Sequence, residues 1–213
     1  MAEEQFDYFD ENYRSLGTAP KSVTRANGLW VHSFHCWMLS LSGEPSMLVQ
    51  KRAADKALFP DYLDISAAGH LSAGEKVSDG VREIEEEVGI RVAFEDLISL
   101  GVKHDVAKAG EIINRQFAHV FLYPNAPKIE DLVLDKVELD GMISLPIAKG
   151  LDLFTGKLPS IEVTGIEKNR SGDWSHISKE ISPEDFIPRV DPYYYKMFVI
   201  ADLYLKKYPY LTI

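Results

Sequence analysis

Residues 69–90 read GHLSAGEKVSDGVREIEEEVGI. In the second half of this stretch Glu83, Glu86 and Glu87 stand at the spacing that a helix gathers onto one acidic face. Val81, Ile84 and Val88 recur at steps of three and four on the opposite side and are expected to pack inward. Ser78 or Asp79 is the expected N-cap, and Gly89 stands where a helix ends on a left-handed residue. Exposed carboxylates on one helical turn repel by roughly a few tenths of a kcal/mol per pair. A hard cation such as Mg²⁺, which takes oxygen ligands and shares its shell with phosphate oxygens, turns that repulsion into attraction. A solvated run of charge on a surface helix is the bland alternative.

The stretch resembles the Nudix box of the Nudix hydrolases, G-x5-E-x7-R-E-U-x-E-E-x-G-U with U aliphatic. Gly69, Glu75, Arg82, Glu83, Ile84, Glu86, Glu87, Gly89 and Ile90 supply the fixed positions. One feature departs from the pattern: six residues rather than seven separate Glu75 from Arg82, which shortens the entry to the helix and bears on where Glu75 sits. The resemblance implies an α/β fold, a Nudix-type α/β/α sandwich with a mixed β-sheet, here carrying a C-terminal helical extension. It also implies divalent-metal-dependent hydrolysis of a diphosphate linkage in a small metabolite, with Mg²⁺ (or Mn²⁺) as cofactor. Glu83, Glu86, Glu87 and the carbonyl of Gly69 are then the expected metal ligands, Glu83 and Glu87 the leading catalytic residues, and Glu75 and Arg82 their support. The general base varies within the family; Glu111, Glu138 and Asp140 are the candidates in this chain.

Bulk properties narrow the setting. At 213 residues the chain suffices for one well-buried domain. With 46% hydrophobic and 26% charged residues, order is the expectation. A formal net charge of −10 argues against a nucleic-acid backbone as partner. Cys36 is the only cysteine, which excludes an intrachain disulfide and a Cys-built zinc site. No apolar run nears the roughly 20 residues of a membrane span. The acidic start, MAEEQFDYFDENY, lacks the order of a signal peptide, so a cytoplasmic setting is expected. A small-molecule diphosphate is the expected partner, and a homodimer stays open.

Along the chain, residues 1–27 form a polar N-terminal segment without clear period, 28–150 the expected Nudix domain, and 151–213 a C-terminal extension. Residues 29–41 read as a buried strand, joined through the turn SGEPS to a second strand, MLVQKR. Residues 95–106, 113–123 and 140–145 read as further strands. Residues 155–172 read as a loop or irregular hairpin, and 192–207 carry the apolar stripe of a terminal helix packed on the same domain. Tyr193–Tyr195 belong to that packing surface more readily than to a stacking platform.

A narrower resemblance covers VQKRAADKALFPDYLDISAAGH, which is similar to the isopentenyl-diphosphate isomerase branch of the same superfamily. It implies that Arg52 and Lys56, eight and four residues before Pro60, bind the substrate diphosphate. The isomerase needs a cysteine before its Gly-His pair and a Glu-x-Glu on a later strand. Here Ala68 precedes Gly69 and His70, and the later motif falls on Asn114-Arg115-Gln116. Neither an alanine nor an amide performs the proton transfer, so isomerase activity is not expected. His32 and His35, three apart on a strand, point to opposite faces and do not share a metal. His70 is expected to hold its loop by hydrogen bonds. The competing function is a catalytically weak module that binds a nucleotide.

Overall fold

A computed structural model describes residues 3–110 and 112–213. The chain opens with a hairpin of β1 (Gln5–Phe9) and β2 (Ser15–Pro20) and a short helix α1 (Lys21–Asn27), followed by β3 (Trp30–Ser40) and β4 (Ser46–Arg52). Two brief strands, β5 (Leu63–Asp64) and β6 (Ala67–His70), lead through a 3₁₀ turn at Val77–Val81 into α2 (Arg82–Val88). β7 (Ile98–Ala109), β8 (Ile112–Ala126) and β9 (Leu139–Pro146) come next, then α3 (Ile147–Phe154). The hairpin of β10 (Ile161–Lys168) and β11 (Trp174–Ile181) precedes the last helix, α4 (Tyr193–Leu205).

β3, the aromatic run, organises the mixed sheet. One edge pairs in parallel with β8 over most of its length. The other is shared by three antiparallel partners in sequence: β1 at residues 30–31, β6 at 33–36 and β4 at 38–40. β9, β10 and β11 extend the sheet beyond β4. Alternation along β3 supplies both cores. Trp37 and Leu39 face the layer containing Leu153, Tyr193, Met197 and Phe198 of α3 and α4. Phe34, Cys36 and Met38 face the layer containing Ile84 and Val88 of α2. Helices therefore cover both faces of a mixed sheet, the expected α/β/α sandwich.

Three local readings change. Residues 5–27 are regular: β1 pairs with β2 and β3, and α1 ends on Gly28 in the left-handed region. The amphipathic signal is weak there because the strands are short and mostly solvent-facing. Of the loop or irregular hairpin expected over 155–172, the hairpin is present and regular: residues 161–168 form a full strand paired with β9 and β11, and Gly165 lacks the Cβ that would lie 2.3 Å from the Met142 carbonyl oxygen of β9. Finally, α2 starts at Arg82. Asp79 still caps, but from within the 3₁₀ turn, where its carboxylate accepts the Lys76 N–H at 2.8 Å. Gly89 ends α2 at φ 72° as expected. No helix among the described residues is long and apolar enough to cross a membrane.

Candidate active-site cleft

α2, β6, the loop after β4 and the outer turn of α1 enclose a cleft of about 590 Å³. Arg52, Lys56, Gly69, Arg82, Glu83, Glu86 and Glu87 all line it. Glu75 lies behind them and reaches the site through Arg82, whose Nε donates to Glu75 Oε1 at 3.0 Å and Nη2 to Oε2 at 3.2 Å. Arg82 Nη2 also donates to the His70 carbonyl at 3.1 Å, tying α2 to β6. Its Nη1 lies 2.7 Å from Glu83 Oε1 and 3.0 Å from Glu86 Oε2.

The three glutamates differ in environment. Glu86 is exposed at the rim, whereas Glu83 and Glu87 are buried under β6. Burial pushes the Glu87 carboxyl up to about 8, with the Glu83 charge adding to the effect and the Ala68 N–H, which donates to Oε2 at 3.0 Å, opposing it. Burial likewise raises Glu83 to about 7 against the pull of Arg82. Gly69 makes this packing feasible: a Cβ there would lie 2.0 Å from Glu83 Cδ. Among the described residues no three His, Cys, Asp or Glu side chains are gathered into a ready metal shell. The donors present are nevertheless oxygens, and two crowded carboxylates with raised affinity for protons suit a hard cation.

Across the cleft, Arg52 donates from Nε to the Phe59 carbonyl at 3.1 Å and from Nη2 to the Leu58 carbonyl at 2.9 Å. Phe59 and Asp61, on either side of Pro60, adopt positive φ (52° and 64°), folding the loop so that those carbonyls face Arg52. Lys56 pairs with Glu138. Burial and the adjacent Arg52 lower the Lys56 pKa. Of the base candidates, Glu138 lines the cleft. Asp140 instead accepts from the Ala54 N–H and pairs with Lys168, and Glu111 lies outside the described residues.

The floor of the cleft carries two amides. Asn114 and Gln116 line it, while Arg115 alternates away and donates to the Gly28 carbonyl. Gln116 Nε2 contacts His70 Nε2 at 3.3 Å, and Gln116 Oε1 contacts His35 Nε2 at 3.4 Å. His35 Nδ1 meets the Tyr193 hydroxyl at 3.2 Å, which accepts from Trp37 Nε1 at 2.9 Å. Burial pushes both imidazoles down to about 4, so they are neutral at pH 7; this leaves His70 Nε2 free to accept from the Gln116 amide nitrogen, while His35 Nε2 donates to the amide oxygen. His32 faces the opposite side of β3 and stacks on Phe9.

The cleft also reaches a set of charged residues that sequence patterns did not single out. Arg189 bonds Asp64 at 2.6 Å and also Asp105, and Lys103 bonds Asp105 at 2.6 Å. Arg189 stands in the turn-rich segment before α4. Its one signal is a basic residue beside the Asp191-Pro192 helix start. Lys21 and Arg25 of α1, on one side of that helix four residues apart, also line the cleft and were unmarked by any motif.

No protein-family model matches the chain. An uncharacterized Nudix hydrolase of Clostridium acetobutylicum is 33% identical over 195 residues, covering 91% of this chain and 95% of that protein. An isopentenyl-diphosphate Δ-isomerase of Photorhabdus laumondii is 30% identical over 127 residues, 57% of this chain and 70% of that protein. Among solved structures, a Deinococcus radiodurans protein superposes with a TM-score of 0.55 at 17% identity over 72% of this chain and 90% of that chain, a likeness of fold.

Proposed function

The chain belongs to the Nudix hydrolase family, and from that premise we propose that it hydrolyses the diphosphate linkage of a small metabolite, a nucleoside-diphosphate derivative or another diphosphate, using Mg²⁺ or Mn²⁺. The observation that carries this reading is the buried Glu83–Glu87 pair, set in the same cleft as the basic arm Arg52 and Lys56. Glu83, Glu86, Glu87 and the Gly69 carbonyl would hold the cation. When bound, a divalent ion supplies charge neutralisation for the diphosphate and Lewis-acid activation of the reacting groups.

The chain's own groups do the rest. Arg52, fixed by two loop carbonyls, and Lys56 bind phosphate oxygens and orient the linkage. A diphosphate that engages Lys56 releases Glu138 from its ion pair, leaving a carboxylate in the cleft able to take a proton from the attacking water. Arg82 and Glu75 position Glu83 and Glu86. Ala68 and Gln116 supply no proton at the isomerase positions, which supports hydrolysis over isomerisation. The proposal includes a cytoplasmic setting and a small-molecule partner.

One observation favours a binding module with little turnover: Arg82 Nη1 engages both Glu83 and Glu86, two of the three carboxylates. A product-resolved hydrolysis screen with Mg²⁺ and Mn²⁺ separates the readings. It should span nucleoside diphosphate sugars, dinucleoside polyphosphates, ADP-ribose and isopentenyl diphosphate, with Glu87→Gln as control. Turnover that vanishes in Glu87→Gln supports the hydrolase. Silence throughout, alongside nucleotide-induced thermal stabilisation, supports the binding module.

A further inference from the structure

Six cations line the cleft: Lys21, Arg25, Arg52, Lys56, Arg82 and Arg189. Five are engaged. Lys21 pairs with Glu4 at 2.8 Å, Lys56 with Glu138, Arg82 with Glu75, Glu83 and Glu86, and Arg189 with Asp64 and Asp105. Arg52 is held by two carbonyls. Arg25 differs. Among the described residues its guanidinium has no carboxylate partner, and its Nε is shut off from solvent without a hydrogen-bond acceptor. A guanidinium carries five donors, no acceptor, and a charge that it does not lose. Burying part of one without a partner is costly unless something else accepts those bonds.

Its place in the fold is equally specific. β1, β6 and β4 occupy successive portions of one edge of β3, so β6, which carries Ala68, Gly69 and His70, lies between the N-terminal hairpin and β4. α1 packs on β1, β2 and β8, and its Arg25 lines the same cleft as the loop bearing Arg52 and Lys56. Arg25 and the diphosphate arm thus reach one cleft from separate elements, together with the carboxylates of α2.

We propose that Arg25 is a second anion-binding residue of the cleft, receiving a phosphate or carboxylate carried by the moiety attached to the diphosphate. The substrate class is accordingly a diphosphate whose other end bears its own negative charge. This rests on the diphosphate-hydrolase reading of the cleft and deepens it. The fork geometry of a guanidinium matches either oxyanion bidentately, and Asn114 and Gln116, which line the same cleft, offer uncharged polar groups to the body of such a molecule.

The test uses two ligand pairs that differ by one anionic group: NADH against NADPH for a phosphate, and UDP-glucose against UDP-glucuronate for a carboxylate. Binding is measured by calorimetry with Ca²⁺ in place of Mg²⁺ to slow turnover, on the full chain and on Arg25→Gln and Arg25→Lys, with melting curves to verify folding. In the wild type the anionic member of at least one pair binds about tenfold or more tightly. Arg25→Gln closes that gap and Arg25→Lys retains part of it. A phosphate-only or carboxylate-only gap names the group. Equal binding of both members in both pairs, failure of all four to bind, or a gap that persists in Arg25→Gln overturns the proposal. Turnover with Mg²⁺, followed in parallel, decides the hydrolase reading separately. Hydrolysis with no Arg25-dependent gap ends this proposal and leaves that reading standing, whereas an Arg25-dependent gap without hydrolysis does the reverse.

Discussion

Arg82 grips Glu75 with two hydrogen bonds, at 3.0 and 3.2 Å, although the chain between them is one residue short of the family pattern. The spacer winds into a 3₁₀ turn at Val77–Val81 that runs directly into α2 at Arg82, and the support under the carboxylates is present. Arg82→Lys keeps the charge and loses the fork. It should lower stability by about 1 kcal/mol, or roughly 2–4 °C in Tm, and cut Mg²⁺-dependent turnover by about tenfold. Thermal melts and initial rates read both; no change in either would make the grip incidental.

Gly69 supplies a second constraint that can be checked. Since a Cβ at this position would lie 2.0 Å from Glu83 Cδ, Gly69→Ala must displace the Glu83 carboxylate or part β6 from α2. A misplacement of about 1 Å at a reacting centre costs on the order of 100-fold in rate. Turnover of Gly69→Ala should fall by about that factor, and Mn²⁺ affinity, followed by electron paramagnetic resonance, should weaken with it. Retention of both would show that Glu83 is free to relocate without consequence.

Under the proposed function, Glu87 sets metal binding against stability. It is 6% exposed and its one hydrogen-bond partner among the described residues is the Ala68 N–H. Burying a carboxylate this way destabilises the metal-free fold. Glu87→Gln retains an acceptor for Ala68 and is neutral without the proton that the buried Glu87 carboxyl must take up on folding at pH 7, so in EDTA at that pH its Tm should exceed that of the wild type. Mg²⁺ should raise the wild-type Tm through binding to the folded state and leave the variant unmoved. A lower Tm for Glu87→Gln in EDTA would refute the argument.

Arg189 anchors the C-terminal segment at the cleft by bonding Asp64 of β5 and Asp105 of β7. The Arg189 and Lys103 charges hold Asp105 well below the usual carboxylate range despite its burial, which by itself raises it. Arg189→Ala leaves two buried carboxylates facing only Lys103 and the Tyr194 hydroxyl. A loss of about 3–5 kcal/mol is expected, measured by urea denaturation. Restoring stability by adding Asp64→Asn and Asp105→Asn would identify uncompensated charge as the cause; a loss near 1 kcal/mol or less would mean that water replaces the guanidinium cheaply.

The legibility of these features in sequence follows their range. The acidic helix and the Gly69–Glu87 stretch were readable because their chemistry is encoded at fixed short spacing, and β3 because alternate residues feed two cores. Arg25 and Arg189 were not, since each meets the cleft only through pairing of distant elements: α1 against β8, and the segment before α4 against β5 and β7. The N-terminal hairpin was missed for another reason. β2 exposes four of its six residues and offers no hydrophobic period to detect. Asn114 and Gln116 sit between these cases: a resemblance drew attention to the stretch, and the pairing of β8 with β3 brings both into the cleft.

His35 ties the pH response of the fold to the neutral floor of the cleft. Burial pushes its ring down to about 4, outweighing the upward pull of Asp105, with Arg189 and Lys103 adding to the depression and Asp64 opposing it. In the unfolded chain the ring titrates near 6.5. Between these values the unfolded state binds a proton that the folded state refuses, so stability falls as pH drops from about 6.5 toward 4 and is fully present above that window. The share of this fully buried ring is on the order of 2–3 kcal/mol. His32, likewise pushed down to about 4 by burial and by His119, acts in the same direction. His35→Gln preserves polar contact with Gln116 and Tyr193 but cannot titrate. Its Tm should be lower than that of the wild type at pH 7, and its decline from pH 6.5 to 4 shallower. Parallel slopes for the two proteins would show that His35 takes up its proton equally in both states, and that the neutral floor is not what the acid limb of stability reports.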